Sequence, residues 1–584
     1  MAWYDEAVFY HIYPLGLLDA PKQNSYSKPV HRLKELNSWI EHIKKIGCNA
    51  LYIGPLFESV GHGYETTDYR KLDSRLGDNK DLKDFVSRCH KAGIKVIFDG
   101  VFNHTGRDFF AFKDIQTNRE QSKYRDWYCN VNFYGNNEYN DGFSYANWGG
   151  YNLLVKLNQR NSEVVNYICD VIRFWVSEFD VDGIRLDAAD VLDFEFMKAL
   201  RHLANEVKPD FWLMGEVIHG DYTRWVNGDT LHSVTNYVLH KALYSGHNDH
   251  NYYEIAHTIR RLNDMARVNP NGLKLYNFTD NHDVERIASK LNNKANYMPV
   301  HILEYTLPGV PSVYYGSEFG IEGRKEQGSD ASLRPALKLE DYKDAYENNP
   351  YTALICALGQ IRQNTPALSY GNYEEKLLTN RQFAFCRNYE ESTVAVMVNN
   401  DENPCEISLN GIRNGEYKKA FGGETVTVSN GTLYSKVSAN SGEIYILNGE
   451  VFAPSIEIRK EEKTICKEEK PVFKEEKPIC KEEKPIEPKL EKPVEMPKAP
   501  AKTVKTVTDF ISAREKYNLS EKYDAINPEL IDSRQDYEAM SIEELQVAIL
   551  EKMAHNGPVN DQMIKTVMDN VYPNSLLNWV RSFR

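Results

Sequence analysis

The sequence predicts an α/β protein built around a closed (β/α)8 TIM barrel, and three observations lead to that fold class. Up to about residue 355, short apolar runs alternate with amphipathic helical patterns, which is typical of parallel strand–helix units in series. Several such units in one long segment favour a closed barrel over an open sheet. Acidic or imidazole side chains also follow several predicted strands, as they do at the open mouth of such barrels.

The individual units can be read from the spacing of apolar residues. The predicted strands are the runs at 50–55, 94–99, 183–187 and 211–216, and each follows a helical pattern such as 196–206. Each of three helical patterns has one apolar face. The first face is formed by Leu33, Leu36, Trp39, Ile40 and Ile43, the second by Leu82, Phe85, Val86 and Cys89, and the third by Val165, Ile168, Val171, Ile172 and Trp175. Glycines that follow two of these patterns are positioned to end the helices.

The spacing of the acidic residues predicts a domain inserted in the barrel. Asp187 and Glu216 are 29 residues apart, about one strand–helix unit, and Glu216 and Asp283 are 67 apart, about two. Asp99 and Asp187 are 88 residues apart, too far for one unit. We therefore predict a barrel formed by 1–104 and 158–358, with a small domain B at 105–157.

Three segments follow the barrel. Residues 359–452 show short alternating strands and the turn signals Asn410-Gly411 and Asn430-Gly431, which predict an antiparallel β-sandwich, domain C. Residues 453–505 hold four K-E-E-K heptads at 460–487. A heptad period suits a coiled coil, but prolines at one heptad position would break that helix, so we predict a semi-extended Lys/Glu/Pro linker.

The last segment, 506–584, is predicted to be a small helical module. Ser541 and Glu544 form a candidate capping box, and Leu576, Leu577 and Trp579 offer an apolar core. No chemistry can be read from it. A protein partner or self-association through 506–584 is the function we expect.

Composition narrows the class of partner and the compartment. A net charge of -14 argues against nucleic acid and anionic membranes as main partners. The nine cysteines are scattered without C-x-x-C spacing, which indicates a reducing compartment. The N-terminal residues show no secretion signal and no run reaches transmembrane length, so we expect a cytoplasmic protein.

Four segments carry the candidate chemistry, and each ends a predicted strand. They are D-G-V-F-N-H at 99–104, G-I-R-L-D-A-A-D at 183–190, G-E-V-I-H at 215–219 and T-D-N-H-D at 279–283. Any one of these acids read alone is more often a cap or a surface charge. Together they predict carboxylates that converge on one barrel mouth. Repulsion between them raises the pKa of at least one, so a protonated and an ionised carboxyl group can coexist, as glycosidic bond cleavage requires.

These segments, in this order, strongly resemble those of the α-amylase superfamily, over nearly all of residues 1–450. The resemblance implies a retaining, double-displacement cleavage of α-1,4-glucosidic bonds in maltodextrins or related α-glucan oligosaccharides. Asp187 would be the nucleophile, Glu216 the acid and then the base, and Asp283 the residue that holds the distorted sugar. The positions that would bind substrate or support the nucleophile are Tyr64, His104, Arg185, His282, Asp330 and Arg334.

Within the superfamily, the sequence is similar to neopullulanases, cyclomaltodextrinases and maltogenic amylases. L-V-K-L-N at 154–158 and His219 carry this similarity, whereas Val155 and Ile218 stand where that group usually has proline and tryptophan. The barrel also begins near residue 8, without the N-terminal β-domain of that group. Two other functions stay open: glucan transfer through the same intermediate, and a catalytically silent carbohydrate-binding or scaffold protein.

The resemblance also bears on metals. Asn103 matches a ligand position of calcium-binding amylases, but Val191 stands where those enzymes often supply the backbone of a histidine. We expect no cofactor and no obligatory metal, with calcium as the alternative.

Overall fold

The computed structural model describes residues 2–269, 272–326, 329–458 and 542–556, together with Val567, Leu576, Trp579 and Val580. It divides into two compact units, Met1–Lys467 and Glu468–Arg584. Each unit is described separately below.

The first unit is built on eight strands in which every neighbouring pair is parallel. In chain order, the first to eighth barrel strands are Phe9–Ile12, Ala50–Ile53, Lys95–Gly100, Gly183–Leu186, Trp212–Gly215, Ser233–Val234, Tyr276–Phe278 and Val310–Tyr314. The first strand pairs with the second and the eighth. A single bridge, Thr235 to Tyr276, joins the sixth strand to the seventh and closes the ring. The predicted TIM barrel is confirmed.

Helices surround these strands. The described α-helices of the first unit outside the insertion are Pro14–Leu17, Asn37–Lys45, Asn79–Lys91, Ser162–Phe179, Phe194–Val207, Tyr237–Asn248, Tyr252–Val268, Ile287–Lys290, Tyr297–Thr306, Ala345–Asn348, Pro350–Asn364 and Pro366–Tyr370. Side chains of Asp78, Asn161 and Asp193 cap three of them by accepting from first-turn amides. The segment predicted as one helix over Leu33–Ile43 is a 3-10 helix, Arg32–Leu36, followed by the α-helix Asn37–Lys45.

Between the third and fourth barrel strands lies a small antiparallel sheet. Its strands are His104–Gly106, Asn147–Trp148 and Tyr151–Lys156, and the helix Phe110–Asn118 packs beside them. Buried rings form its core, among them Phe112, Tyr128, Phe143 and Tyr145. A second hairpin, Phe57–Ser59 and Thr66–Leu72, follows the second barrel strand.

The chain then forms two antiparallel sheets. Their strands are Asn372–Leu378, Gln382–Tyr389, Ser392–Asn399, Cys405–Asn410, Gly415–Lys419, Thr425–Val428, Thr432–Val437 and Ser441–Leu447. Cys405–Asn410 and Thr432–Val437 make one sheet, and the other six strands make the second. Residues of both sheets, among them Leu409, Tyr417 and Leu433, form one apolar core. The predicted β-sandwich is confirmed. The chain stays packed beyond residue 452, since Ala453 bridges to Phe421 and Ile458 is buried.

In the second unit, the helix Ile542–Asn556 buries Leu545, Ala548 and Ile549. The heptads at 460–487, Ser541 and Leu577 lie outside the described residues, so the linker and capping box stay predictions. In the described part of the chain, no helix has the length and apolar character needed to cross a membrane.

Candidate active site

A cavity of about 430 Å³ lies where loops after the barrel strands converge. Its lining comes from the loops that follow the second, third, fourth, fifth, seventh and eighth strands. The lining residues are His62, Tyr64, His104, Trp148, Tyr151, Leu154, Asp187, Ala188, Asp190, Glu216, Ile218, Asp283, Lys325, Asp330 and Arg334. All three predicted catalytic carboxylates therefore face one space.

Asp187 directly follows the fourth barrel strand. Its amide donates to the Gly100 carbonyl at 3.1 Å, which extends the strand pairing to this residue. Because side chains alternate along a strand, Arg185 and Asp187 share a face, and Arg185 Nη1 donates to Asp187 Oδ1 at 3.0 Å. Ala188 then takes a left-handed conformation with φ 46°, which turns the chain away from the barrel axis.

Glu216 follows the fifth strand and is held beside Asp187. Its Oε2 accepts from the Ala188 amide at 3.0 Å and forms an ion pair with Arg185 Nη2 at 2.9 Å. The Tyr237 hydroxyl donates to its Oε1 at 3.4 Å. One guanidinium thus bridges the predicted nucleophile and the predicted acid.

Asp283 lies after the seventh strand, in a turn that its neighbour Asn281 forms. The Asn281 side-chain oxygen accepts the Asp283 amide at 2.8 Å. The carboxylate accepts from Arg334 Nη2 at 2.9 Å and contacts His282 Nε2 at 3.0 Å. Burial raises the pKa of Asp283, but His282 and Arg334 outweigh it and hold that pKa below its ordinary range.

The charge of Arg185 is shared among several acids. This buried guanidinium contacts three carboxylates, those of Asp99, Asp187 and Glu216. Burial raises the pKa of Asp187 well above its ordinary value; Arg185 opposes this shift, while Glu216 and Asp99 add to it. One cation facing three acids favours retention of a proton in the cluster. Arg185 therefore positions Asp187, but its effect is too small to reverse the rise in the pKa of Asp187.

The other predicted binding residues divide into two groups. Tyr64, His104, Asp330 and Arg334 line the cavity. Arg185 and His282 are buried and do not line it. His282 contacts the Tyr64 hydroxyl, and the His282 and Tyr64 rings are stacked with their centroids 5.7 Å apart. His104 Nε2 is bonded to the Tyr64 carbonyl at 3.1 Å, and burial lowers its pKa to about 3, so the ring is neutral near pH 7.

Several residues around the cavity are absent from the predicted set. Asp99 accepts from the hydroxyls of Tyr52 at 2.8 Å and Tyr64 at 3.1 Å as well as from Arg185, and its place at the head of the first motif was the available signal. Tyr237 gave no signal, because it follows a barrel strand of two residues. The remaining ones, which line the cavity, are His62, Trp148, Tyr151, Leu154, Ala188, Asp190, Ile218 and Lys325.

Asn103, which matches a calcium-ligand position, is buried in the loop after the third barrel strand. Its side-chain nitrogen is directed to His104 Nδ1 at 3.2 Å, its side-chain oxygen is buried without a hydrogen-bond partner, and its backbone carbonyl accepts from Leu157. Calcium takes about six to eight oxygen ligands, carboxylates prominent among them. Among the described residues, one group of three carboxylate, imidazole or thiol side chains is close enough together to hold a metal ion. It consists of His31, Asp78 and Asp81, none of which lines the cavity.

Comparison with known proteins agrees with this fold. Residues 21–350 match the family described as the alpha-amylase catalytic domain. The cyclomaltodextrinase of Thermoanaerobacter pseudethanolicus is 31% identical over 71% of this chain and 73% of its own length. The intracellular maltogenic amylase of Bacillus subtilis is 29% identical over 63% of this chain and 62% of its own. The solved debranching enzyme of Nostoc punctiforme superposes with a TM-score of 0.64 at 25% identity, over 76% of this chain and 98% of that one. The chain therefore belongs to the alpha-amylase family and is a glycosidase of that family.

Proposed function

We propose that the enzyme hydrolyses α-1,4-glucosidic bonds in maltodextrins and related short α-glucans with retention of configuration. The observation that carries this proposal is the placement of Asp187 and Glu216 on one guanidinium, at a cavity that Asp283 also lines. Relatives named cyclomaltodextrinase and maltogenic amylase support the substrate class.

Each carboxylate has a role in the proposed double displacement. Asp187 attacks the anomeric carbon while Glu216 gives its proton to the leaving glucosidic oxygen, so that a glycosyl ester forms on Asp187. Glu216 then takes a proton from water, whose oxygen bonds to the anomeric carbon as the ester bond breaks. Asp283, kept ionised by Arg334 and His282, accepts hydrogen bonds from hydroxyls of the distorted sugar.

The proton that this mechanism needs is consistent with the charge of the cluster. The carboxylates of Asp99, Asp187 and Glu216 face the single cation of Arg185, which favours one retained proton. Catalysis requires that proton on Glu216 and a free carboxylate on Asp187. No cofactor and no obligatory metal take part in these steps.

We also propose that the enzyme acts in the cytoplasm. All seven described cysteines are free thiols, as expected in a reducing compartment. The Bacillus subtilis relative named intracellular maltogenic amylase supports the same location.

Residues 506–584 are proposed to bind a protein partner or a second copy of the chain. Capture experiments with that segment test this proposal.

Product analysis tests the proposed reaction. The enzyme is incubated with maltotriose, cyclodextrin, pullulan and starch, the products are sized, and the anomer formed first is identified by NMR. Retained α-configuration with shorter products supports the proposal, and longer oligomers from maltotriose identify transfer. Initial release of β-anomers contradicts the assigned mechanism.

Asp187→Asn provides the matching variant. It removes the nucleophilic oxygen's charge without changing the size of the side chain, so we expect turnover to fall by about 10⁴-fold or more while the protein stays folded. Asp229→Asn, at an exposed carboxylate outside the cavity, is the control and should leave the rate unchanged. Near-full activity in Asp187→Asn would rule out this nucleophile.

A further inference from the structure

We propose that Tyr151 is a specificity-determining residue, whose ring binds the sugar on the leaving-group side and favours sugar transfer over hydrolysis. This inference rests on the proposed function. It assigns to Tyr151 the binding of the sugar that departs from Glu216 and of the sugar that returns as an acceptor.

The order of strands around the barrel divides the cavity into two ends. The loops after the seventh and eighth strands contribute charged side chains: Asp283, Lys325, Asp330 and Arg334. The loops after the third and fifth strands contribute Trp148, Tyr151, Leu154 and Ile218, while Asp190 and Ala188 come from the loop after the fourth strand between them. A glucosyl unit can therefore be held through its hydroxyls at the charged end and through its apolar ring faces at the other.

The proton donor places the leaving sugar at the apolar end. Glu216 follows the fifth strand, two residues before Ile218, which also lines the cavity and is 39% exposed. The oxygen that Glu216 protonates belongs to the departing sugar. That sugar must then lie against the apolar end, whose most exposed aromatic ring is Tyr151.

Tyr151 is held out into solvent by a fixed turn. It is 68% exposed although it lines the cavity, and it follows Gly149 and Gly150, which have φ values of 64° and 84°. The Asn147 side chain accepts the Gly150 amide at 3.1 Å and donates to Asn152 at 2.7 Å, so both sides of the turn are tied together. A Cβ on Gly149 would come within 3.3 Å of the Tyr151 ring. The turn presents an aromatic face whose burial a bound sugar would complete.

An acceptor bound there competes with water for the glycosyl ester. In the transfer step the acceptor hydroxyl oxygen bonds to the anomeric carbon, the bond to Asp187 breaks, and Glu216 takes the hydroxyl proton. When an acceptor sugar occupies the site that the leaving sugar has vacated, a larger fraction of the ester reacts by this route.

Tyr151→Ala and Tyr151→Phe, each compared on maltotriose and on α-maltosyl fluoride, test the assignment. Fluoride has no sugar ring to bind at the apolar end, so its initial release reports ester formation without that contact. In Tyr151→Ala we expect kcat/KM to fall about tenfold more for maltotriose than for the fluoride, and the ratio of transfer to hydrolysis products to fall with it. Tyr151→Phe keeps the ring and should restore both.

Two outcomes would overturn the inference: equal losses on both substrates, or an unchanged ratio of transfer to hydrolysis products in Tyr151→Ala. Tyr134→Ala is the matched control, because Tyr134 belongs to the same inserted segment, is fully exposed and does not line the cavity. Failure of the unmodified enzyme to release fluoride would instead contradict the proposed function itself.

Discussion

At the scale of single residues, the centre of the site is a shared cation. Arg185 bridges Asp99, Asp187 and Glu216 with its buried guanidinium. Lysine could not replace these contacts, because its single ammonium lacks the planar fork that reaches several carboxylates at once. The geometry of the catalytic pair therefore depends on a residue that does not line the cavity.

The raised pKa of Asp187 gives a pH prediction. The nucleophile must be ionised, so activity is lost as the pH falls through this pKa, and the acidic limb lies above the range of an ordinary aspartate. Asp99→Asn removes a neighbouring negative charge that raises the pKa, so it should move the acidic limb of kcat/KM to lower pH.

Profiles of kcat/KM against pH, measured for the unmodified enzyme and for Asp99→Asn, check this prediction. Asp229→Asn, whose carboxylate does not line the cavity, should leave the limb in place. A limb that moves to higher pH in Asp99→Asn would contradict the electrostatic explanation.

The sequence was most informative at this scale for acids that end strands. Asp187, Glu216 and Asp283 could be read because each lies in a motif at the end of a strand and because barrel topology brings strand ends together. Tyr237, which begins a helix, and Trp148 could not, because an aromatic side chain can pack in a core as well as line a cavity. Their positions depend on turns whose geometry no local pattern specifies.

At the scale of elements, close contacts between strands limit which side chains are possible. Gly183 begins the fourth strand, and a Cβ there would lie 2.5 Å from the Trp212 carbonyl of the fifth strand and 3.0 Å from Ile97 of the third. Neither neighbour can move freely, because both lie in barrel strands. The strands that carry Asp187 and Glu216 therefore approach closely only because this residue is glycine.

Gly183→Ala should accordingly lower the free energy of unfolding by about 1–3 kcal/mol, as expected for overpacking in a core. Denaturant titration of both proteins measures the change. Activity should fall too, since the fourth and fifth strands would separate. Unchanged stability would show that the strands can absorb a methyl group.

The strands themselves were predicted unevenly, for a physical reason. Four of the first five were visible as apolar runs, each of them four residues or more in the structure. The sixth and seventh, Ser233–Val234 and Tyr276–Phe278, are two and three residues long, too short for an apolar period. Only the distance from Glu216 to Asp283 indicated that two units lay between them.

At the scale of the whole molecule, no metal is expected to support the fold or the reaction. The side-chain nitrogen of Asn103 is directed to His104, its side-chain oxygen is buried without a hydrogen-bond partner, and no group of three carboxylate, imidazole or thiol ligands surrounds it among the described residues. Dialysis against EDTA should therefore leave kcat/KM and the melting temperature unchanged, with activity within about twofold of the untreated enzyme. Restoration of a lost activity by added calcium would contradict this.

The closure of the barrel has a consequence for its motions. Asn236 donates its amide to the Tyr276 carbonyl at 2.9 Å, beside the single bridge that joins the sixth and seventh strands. The first and second strands, in contrast, share four paired positions. Local opening costs least where the fewest bonds break, so the Asn236 amide should exchange with deuterium faster than those of the first strand. Asp283 follows the seventh strand on one side of this seam, and Glu216 follows the fifth strand, which pairs with the sixth on the other side. Thermal widening of the wall there would therefore separate the proton donor from the residue that holds the sugar.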